Sequence, residues 1–393
     1  MRASRRRILT RRAAAVGIVL FATALIALAL RSGDESAPAP APATTGGVPR
    51  PVRGLVRRLS LEQKVDQVLA LGFAGTDSSS PVVAELGQRQ IGALFVGPGN
   101  WIDASQGAAL IAELKAAGGS GGRLPPLIIS AQEGGGQRAF PDLPPARRAA
   151  VIGELGDPQR ARRWARQAGE ALAGVGVVLN LAPVVDLASL GSPLAERVFS
   201  EDPQVSASMT LAAEIGCGEA RIACAPAHFP GNGAASADTD LGPATVGLSR
   251  GTLLHRDLVP FTVAFQVGAP AVVLSLAFFA AYDPVTPASQ TPAIVSGLLR
   301  RRLGFEGAAI TDDLTAGAIT ALGPVRDAAV ASLQAGADLL LIERPGAVQD
   351  VTRQAILRAS RDGTIPAERL DEAAGRVLEL KRQLGLLPGS TAG

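Results

Sequence analysis

Aromatic side chains make up only 4% of this 393-residue chain, which also has just two cysteines, two histidines and one tyrosine. A core built with so few rings must come from Ala, Val, Leu and Ile, and an apolar share of 47% excludes general disorder. Two cysteines and His228 are too few ligands for a metal centre, so neither a metal nor a cofactor is expected. Spacing alone leaves open whether Cys217 and Cys224 pair or stay as buried thiols. A phosphate-cradling loop and a Ser-His-Asp set are also missing. The formal charge of +3 is owed to Arg2, Arg5, Arg6, Arg7, Arg11 and Arg12, and the rest of the chain is net acidic. Without a basic stripe, nucleic acid is excluded as a partner.

One long apolar run is present, residues 13–30 (AAAVGIVLFATALIALAL), bounded by Arg12 and Arg31. About 18 apolar residues is the lower limit for crossing a bilayer and exceeds the usual signal-peptide core. Basic flanks stay in the cytoplasm, which places everything after Arg31 outside. Residues 4–10 (SRRRILT) also resemble a twin-arginine export signal, and Ala27-Leu28-Ala29 fits a cleavage site. Residues 1–31 are therefore read as a membrane anchor or a signal peptide, giving a single-pass cell-membrane protein with an extracytoplasmic domain or a secreted one. With no cysteine nearby, a lipid anchor is disfavoured. Residues 32–53 alternate Ala and Pro and read as a disordered linker. Residues 54–388 remain for a single domain, expected as a monomer.

Within that domain short apolar runs end in Gly, Asn, Asp or Pro and alternate with Ala-rich amphipathic stretches such as residues 157–172 and 324–335. The runs are VDQVLALGF, IGALFVGPG, PLIISAQEG, VVLNLAPVVD, RIACAPAHFPG, AVVLSLAFFAA, GAAITDD and ADLLLIERP. Eight such strands with helical crossovers imply an α/β fold, a single (β/α)8 TIM barrel. Active sites of barrels lie where the strands end. The residues there include Glu133, Asp186, Arg197, His228, Asp238, Asp240, Asp312 and Glu343. A carboxylate-rich rim with one His and one Arg suits glycoside chemistry, in which one carboxylate meets the sugar cation and another group handles the proton.

From residue 59 to 386 the chain resembles the bacterial β-N-acetylhexosaminidases of glycoside hydrolase family 3. The motifs LSLEQKVDQVL, IGALFVG, QEGG, LNLAPVVDL, ERVFSEDP, HFPGNG, DPVTPAS, LGFEGAAITDDL and AGADLLL stand in the family's order. The resemblance implies Asp312 as nucleophile, Arg197, His228 and Glu133 as substrate-binding residues, and a carbohydrate partner of the N-acetylamino sugar type. Three of these have a plainer reading: Asp312 as a helix cap, Arg197 in an ion pair with Glu201 or Asp202, and His228 satisfying backbone groups. His255 is read as structural.

The match departs at the chemistry. The family's Asp-x-His dyad becomes Asp238-Thr239-Asp240, so Asp238 matches the dyad aspartate while Asp240 takes the place of the histidine. Its Lys-His pair becomes Ala227-His228, and the Asp and Arg flanking QEGG become Ala131 and Gly136. Charged contacts of that kind contribute about 2 to 4 kcal/mol each in a site without water. Two readings follow. The chain is a retaining glycosidase with Asp240, or less readily His228, as proton donor, or it is a barrel that binds glycan or a protein partner at the cell envelope without cleaving.

Overall fold

A computed structural model describes residues 47–387. The expected anchor lies outside the described residues, as does the linker as far as residue 46. Residues 47–53 belong to the domain, for Arg50–Val52 forms a turn of 3-10 helix and Val52 is buried against Val56, Leu124 and Leu378. Among the described residues no helix is long and apolar enough to cross a membrane.

All eight expected strands are present: β1 Leu69–Gly72, β2 Ala93–Phe95, β3 Leu127–Ser130, β4 Leu179–Asn180, β5 Ala223–Cys224, β6 Ala271–Leu274, β7 Ala308–Thr311 and β8 Leu340–Ile342. Every pairing among them is parallel, with β8-β1-β2-β3-β4-β5 in one run and β6 beside β7. Parallel bridges between Phe229 and Leu274 and between Ile310 and Leu339 join the two groups, so the sheet closes on itself. The product is an α/β barrel.

Strand periodicity decides what faces where. Ala70, Phe95, Ile129, Leu179, Ala223, Val273, Ile310 and Leu341 pack together inside the barrel. Their neighbours Leu71, Leu94, Ile128, Cys224, Val272, Ala309 and Leu340 face the surrounding helices. Alanine at many interior positions is how a chain poor in rings fills a narrow lumen.

The helices start where the sequence marks them. Ser60 and Gln63 exchange side-chain and backbone bonds in a capping box that opens α1, Leu61–Gln67. Asp157 and Asp202 cap α2, Pro158–Gly174, and α3, Pro203–Glu219, each with proline at the first helical position. Helix α4, Ala367–Gln383, seals the lower end of the barrel with Val377 and Leu380. It is tied there by a buried charge cluster. Asp338, just before β8, accepts from Arg300 at 2.5 Å, Arg369 at 2.7 Å and Arg376 at 3.2 Å, and Glu372 takes both α4 arginines at 2.5 Å. Cys217 and Cys224 form a disulfide between α3 and β5.

Candidate active site

The interior parity of each strand carries the residue just past its end onto the rim of the lumen. Asp312 follows Ile310, Glu343 follows Leu341, and Ala131 and Glu133 follow Ile129. These residues line a cavity of about 630 Å³ at the C-terminal end of the barrel, together with Arg197, His228 and Asp240.

Asp312 stands on the floor of this cavity. Its N–H donates to Leu274 O at 3.1 Å, and its Oδ1 accepts from Asp313 N–H at 3.0 Å. The second aspartate does the structural work: Asp313 Oδ1 accepts the N–H groups of Thr315 and Glu343 at 2.9 Å, and Oδ2 accepts the Thr315 hydroxyl at 2.5 Å. Neither aspartate caps the next helix, Gly317–Thr320, whose N-cap is Ala316 without a side-chain bond, and Asp312 Oδ2 is left facing the cavity with His228 Nε2 at 3.7 Å. Burial raises the Asp312 carboxyl above its ordinary range while the charges of His228 and Arg197 pull it down.

His228 is buried, and its partner is a side chain. Nδ1–H donates to Asp186 Oδ2 at 2.8 Å, and the same carboxylate accepts the N–H groups of His228 at 3.2 Å and Asn232 at 2.5 Å. Burial alone would discharge the ring. The hydrogen bond to Asp186 and the charges of Asp186 and Asp312 outweigh burial and lift its pKa to about 9. The imidazolium thus directs its remaining N–H at the carboxylate of Asp312.

Arg197 does not pair with Glu201 or Asp202, which sit within five residues of it. Its guanidinium forms a two-pronged bond with Glu133, Nε to Oε2 at 2.8 Å and Nη2 to Oε1 at 2.7 Å. Asp202 is occupied by its helix. Burial works against the Arg197 charge, and the Glu133 carboxylate more than restores it, so the group stays cationic. Glu133 in turn has both oxygens engaged.

Asp238 and Asp240 lie on the loop after β5. Asp238 Oδ1 accepts the N–H of Asp240 at 3.0 Å, so it shapes the backbone instead of orienting a side chain at position 240. Asp240 O and Thr239 O accept from Gly317 at 2.9 Å and Ala318 at 3.0 Å, which docks this loop on the one after Asp312. Only glycine fits at 317, where a Cβ would come within 2.4 Å of Leu241 backbone. Burial raises the Asp240 carboxyl, and Asp312 and Asp238 add to the shift. A proton is therefore held more firmly there than on an ordinary aspartate.

Two residues carry more than their sequence context suggested. Asp186, buried behind the cavity, fixes His228 from 42 positions upstream, and Glu343 joins Glu133, Asp240, Asp312 and Asp313 on the wall. Both stand at strand ends in the sequence, and the β8 parity from Leu339 and Leu341 carries on to Glu343, but no local signal pairs Asp186 with His228. The altered positions Ala131 and Gly136 line the cavity without a charge, and Ala227 is buried beneath it. His255 is exposed and lines no part of it. Among the described residues no cluster of three or more His, Cys, Asp or Glu side chains is arranged to hold a metal ion.

Residues 60–380 match the Glycosyl hydrolase family 3 N terminal domain. The chain belongs to glycosyl hydrolase family 3. It is 31% identical over 328 residues to the beta-hexosaminidase of Xanthomonas campestris, covering 81% of this chain and 92% of that protein. Among solved family 3 structures, the beta-N-acetylglucosaminidase of a Paenibacillus species superposes with a TM-score of 0.80 at 31% identity over 85% of this chain. The match spans 64% of that longer protein, so the chain covers less than two thirds of it. The beta-N-acetylhexosaminidase of Beutenbergia cavernae gives a TM-score of 0.75 at 29% identity, covering 82% of this chain and 98% of that one. This family 3 barrel is a glycosyl hydrolase in sequence and in architecture.

Proposed function

We propose that the protein hydrolyses terminal β-linked N-acetylamino sugars of cell-wall-type glycans, outside the cytoplasmic membrane, by a retaining mechanism. One observation carries the reading. Asp312 sits at a strand end on the floor of the cavity with the His228 imidazolium aimed at it, and Arg197 adds a second charge that favours its ionised form. That is what a nucleophilic carboxylate needs near neutral pH. In the first step an Asp312 oxygen bonds to the anomeric carbon as the glycosidic C–O bond breaks, and the leaving oxygen takes a proton from Asp240. In the second, Asp240 takes a proton from water, whose oxygen displaces Asp312 and releases the sugar. Asp238 holds the Asp240 backbone, and Arg197 and His228 bind and orient the sugar.

The names of the relatives support this substrate class, and the retained pair of charges beside Asp312 disfavours the reading of a barrel that binds without cleaving. Turnover of para-nitrophenyl N-acetyl-β-glucosaminide followed by proton NMR tests it: the β-anomer is expected to form first, and a first-formed α-anomer would contradict retention.

The extracytoplasmic placement, whether by an uncleaved anchor or by secretion, rests on the arginine-flanked run of residues 13–30. A disulfide also suits an oxidising compartment. A reporter active only in the cytoplasm, fused after Gly47, should stay silent; strong signal would contradict export.

A further inference from the structure

Glu343 lines the cavity but has no part in the mechanism above. Its backbone is fixed on both sides. The N–H donates to Asp313 Oδ1 at 2.9 Å, and its carbonyl presses on the end of β1, where a Cβ on Gly72 would come within 2.0 Å of Glu343 O. The parity of β8 then sends the side chain over the lumen beside Asp312. Among the described residues its carboxyl has no hydrogen-bond or ion-pair partner, although the cavity wall removes much of its water.

The groups that face it are uniformly acidic. The loop after β7 contributes Asp312 and Asp313, and the loop after β5 contributes Asp240. From its own loop Arg344 is turned to Thr315 O at 3.3 Å, and Gln349, on the following helix, gives its amide to Gly72 O at 2.8 Å and Ile342 O at 3.0 Å. Arg197 and His228 are committed to Glu133 and Asp186. Arg138, from the loop after β3, is turned to Gly135 O at 2.7 Å and Leu143 O at 3.1 Å. Among the described residues no cation pairs with Glu343, and burial together with the three carboxylates pushes its pKa up to about 8. Meanwhile the charged sugar contacts that the family pattern places at positions 131, 136 and 227 are absent, with Ala131, Gly136 and Ala227 in their place.

We propose that Glu343 is a sugar-binding residue that meets the substrate as a neutral carboxylic acid, donating a hydrogen bond to a hydroxyl or amide oxygen of the sugar held over Asp312. The inference rests on the glycosidase reading of the cavity and adds to it a binding group. A neutral acid both donates and accepts, which a carboxylate cannot do. Once ionised, Glu343 loses its donor and adds a negative charge beside Asp312 and Asp313.

Calorimetric titration of the full chain with N-acetylglucosamine tests this without depending on turnover. Binding that needs the protonated form weakens about tenfold one pH unit above the pKa, so the wild-type Kd should rise about that much between pH 7 and pH 9. Glu343→Gln keeps a donor that does not titrate. It should match wild type at pH 7 and lose clearly less at pH 9, the remainder reporting His228, which titrates in the same window. Glu343→Ala should bind roughly three- to tenfold more weakly at pH 7, with unchanged thermal unfolding as the folding control. A Gln variant that follows the wild-type pH curve, or an Ala variant that binds as tightly as wild type, overturns the proposal. Sugar binding with the expected Glu343 dependence but no hydrolysis of any glycoside would contradict the glycosidase reading alone.

Discussion

Asp186 and His228 form a buried pair that points at Asp312: Nδ1 lies 2.8 Å from the Asp186 carboxylate, and Nε2 is 3.7 Å from Asp312. The His228 pKa is raised, so the ring stays charged through neutral pH and loses its charge as pH rises through about 9. Asp186→Asn removes the main cause of that rise. If the ring returns to its ordinary pKa, its protonated fraction at pH 8 falls roughly thirtyfold. The alkaline limb of kcat/KM should therefore move toward neutral pH in Asp186→Asn. A limb that stays in place would show that the His228 charge is not used.

Asp240 replaces a histidine with a shorter acid, and its contribution should depend on the leaving group. A proton donor is worth about 10² to 10⁴ in rate where the leaving oxygen is basic and little where it is already acidic. Asp240→Ala is expected to lose that factor on an alkyl N-acetylglucosaminide and to retain most activity on an activated aryl one. Equal losses on both substrates would assign Asp240 to binding.

The barrel was legible because its strands are continuous apolar runs and because interior parity carries through to the rim: Ile310 leads to Asp312 and Leu341 to Glu343. Pairings across the barrel were not. Arg197 has acidic neighbours at 201 and 202, yet it pairs with Glu133, 64 positions away, because the ends of β3 and β4 adjoin in the closed sheet. His228 finds Asp186 for the same reason. The loop of Asp238 and Asp240 kept its place while its chemistry changed. Cys217 and Cys224 gave no geometry until α3 and β5 set their separation at 6.2 Å between Cα atoms.

Asp338 anchors three buried arginines, and removing it strands their charge. Asp338→Ala should cost about 3 to 5 kcal/mol, read as a lowered midpoint in denaturant. The surrounding arginines depress the Asp338 carboxyl against the cost of burial. Its contribution is thus present above the ordinary carboxylate pKa and lost as pH falls through the lower folded value, so the difference between wild type and Asp338→Asn should shrink in strong acid. A difference independent of pH would contradict the assignment.

The disulfide closes a short loop, with a sequence separation of seven. Chain entropy for such a loop corresponds to about 2 to 3 kcal/mol. Cys217→Ser/Cys224→Ser should unfold at a correspondingly lower temperature with its sugar-binding site intact, because the bridge lies between α3 and β5 and lines no part of the cavity. Loss of sugar binding in a folded double variant would contradict that separation.

The decisive test is whether Asp312 forms a covalent bond to sugar. A fluorinated N-acetylglucosaminide with an activated leaving group needs no proton donor in its first step, so that step depends on the nucleophile and survives weakness at Asp240. Intact mass spectrometry should show one sugar added to the wild type, located at Asp312 by peptide mapping, and none added to Asp312→Asn. A wild type that hydrolyses N-acetylglucosaminides while yielding no adduct, or an adduct on any residue other than Asp312, would contradict the assignment of Asp312 as nucleophile.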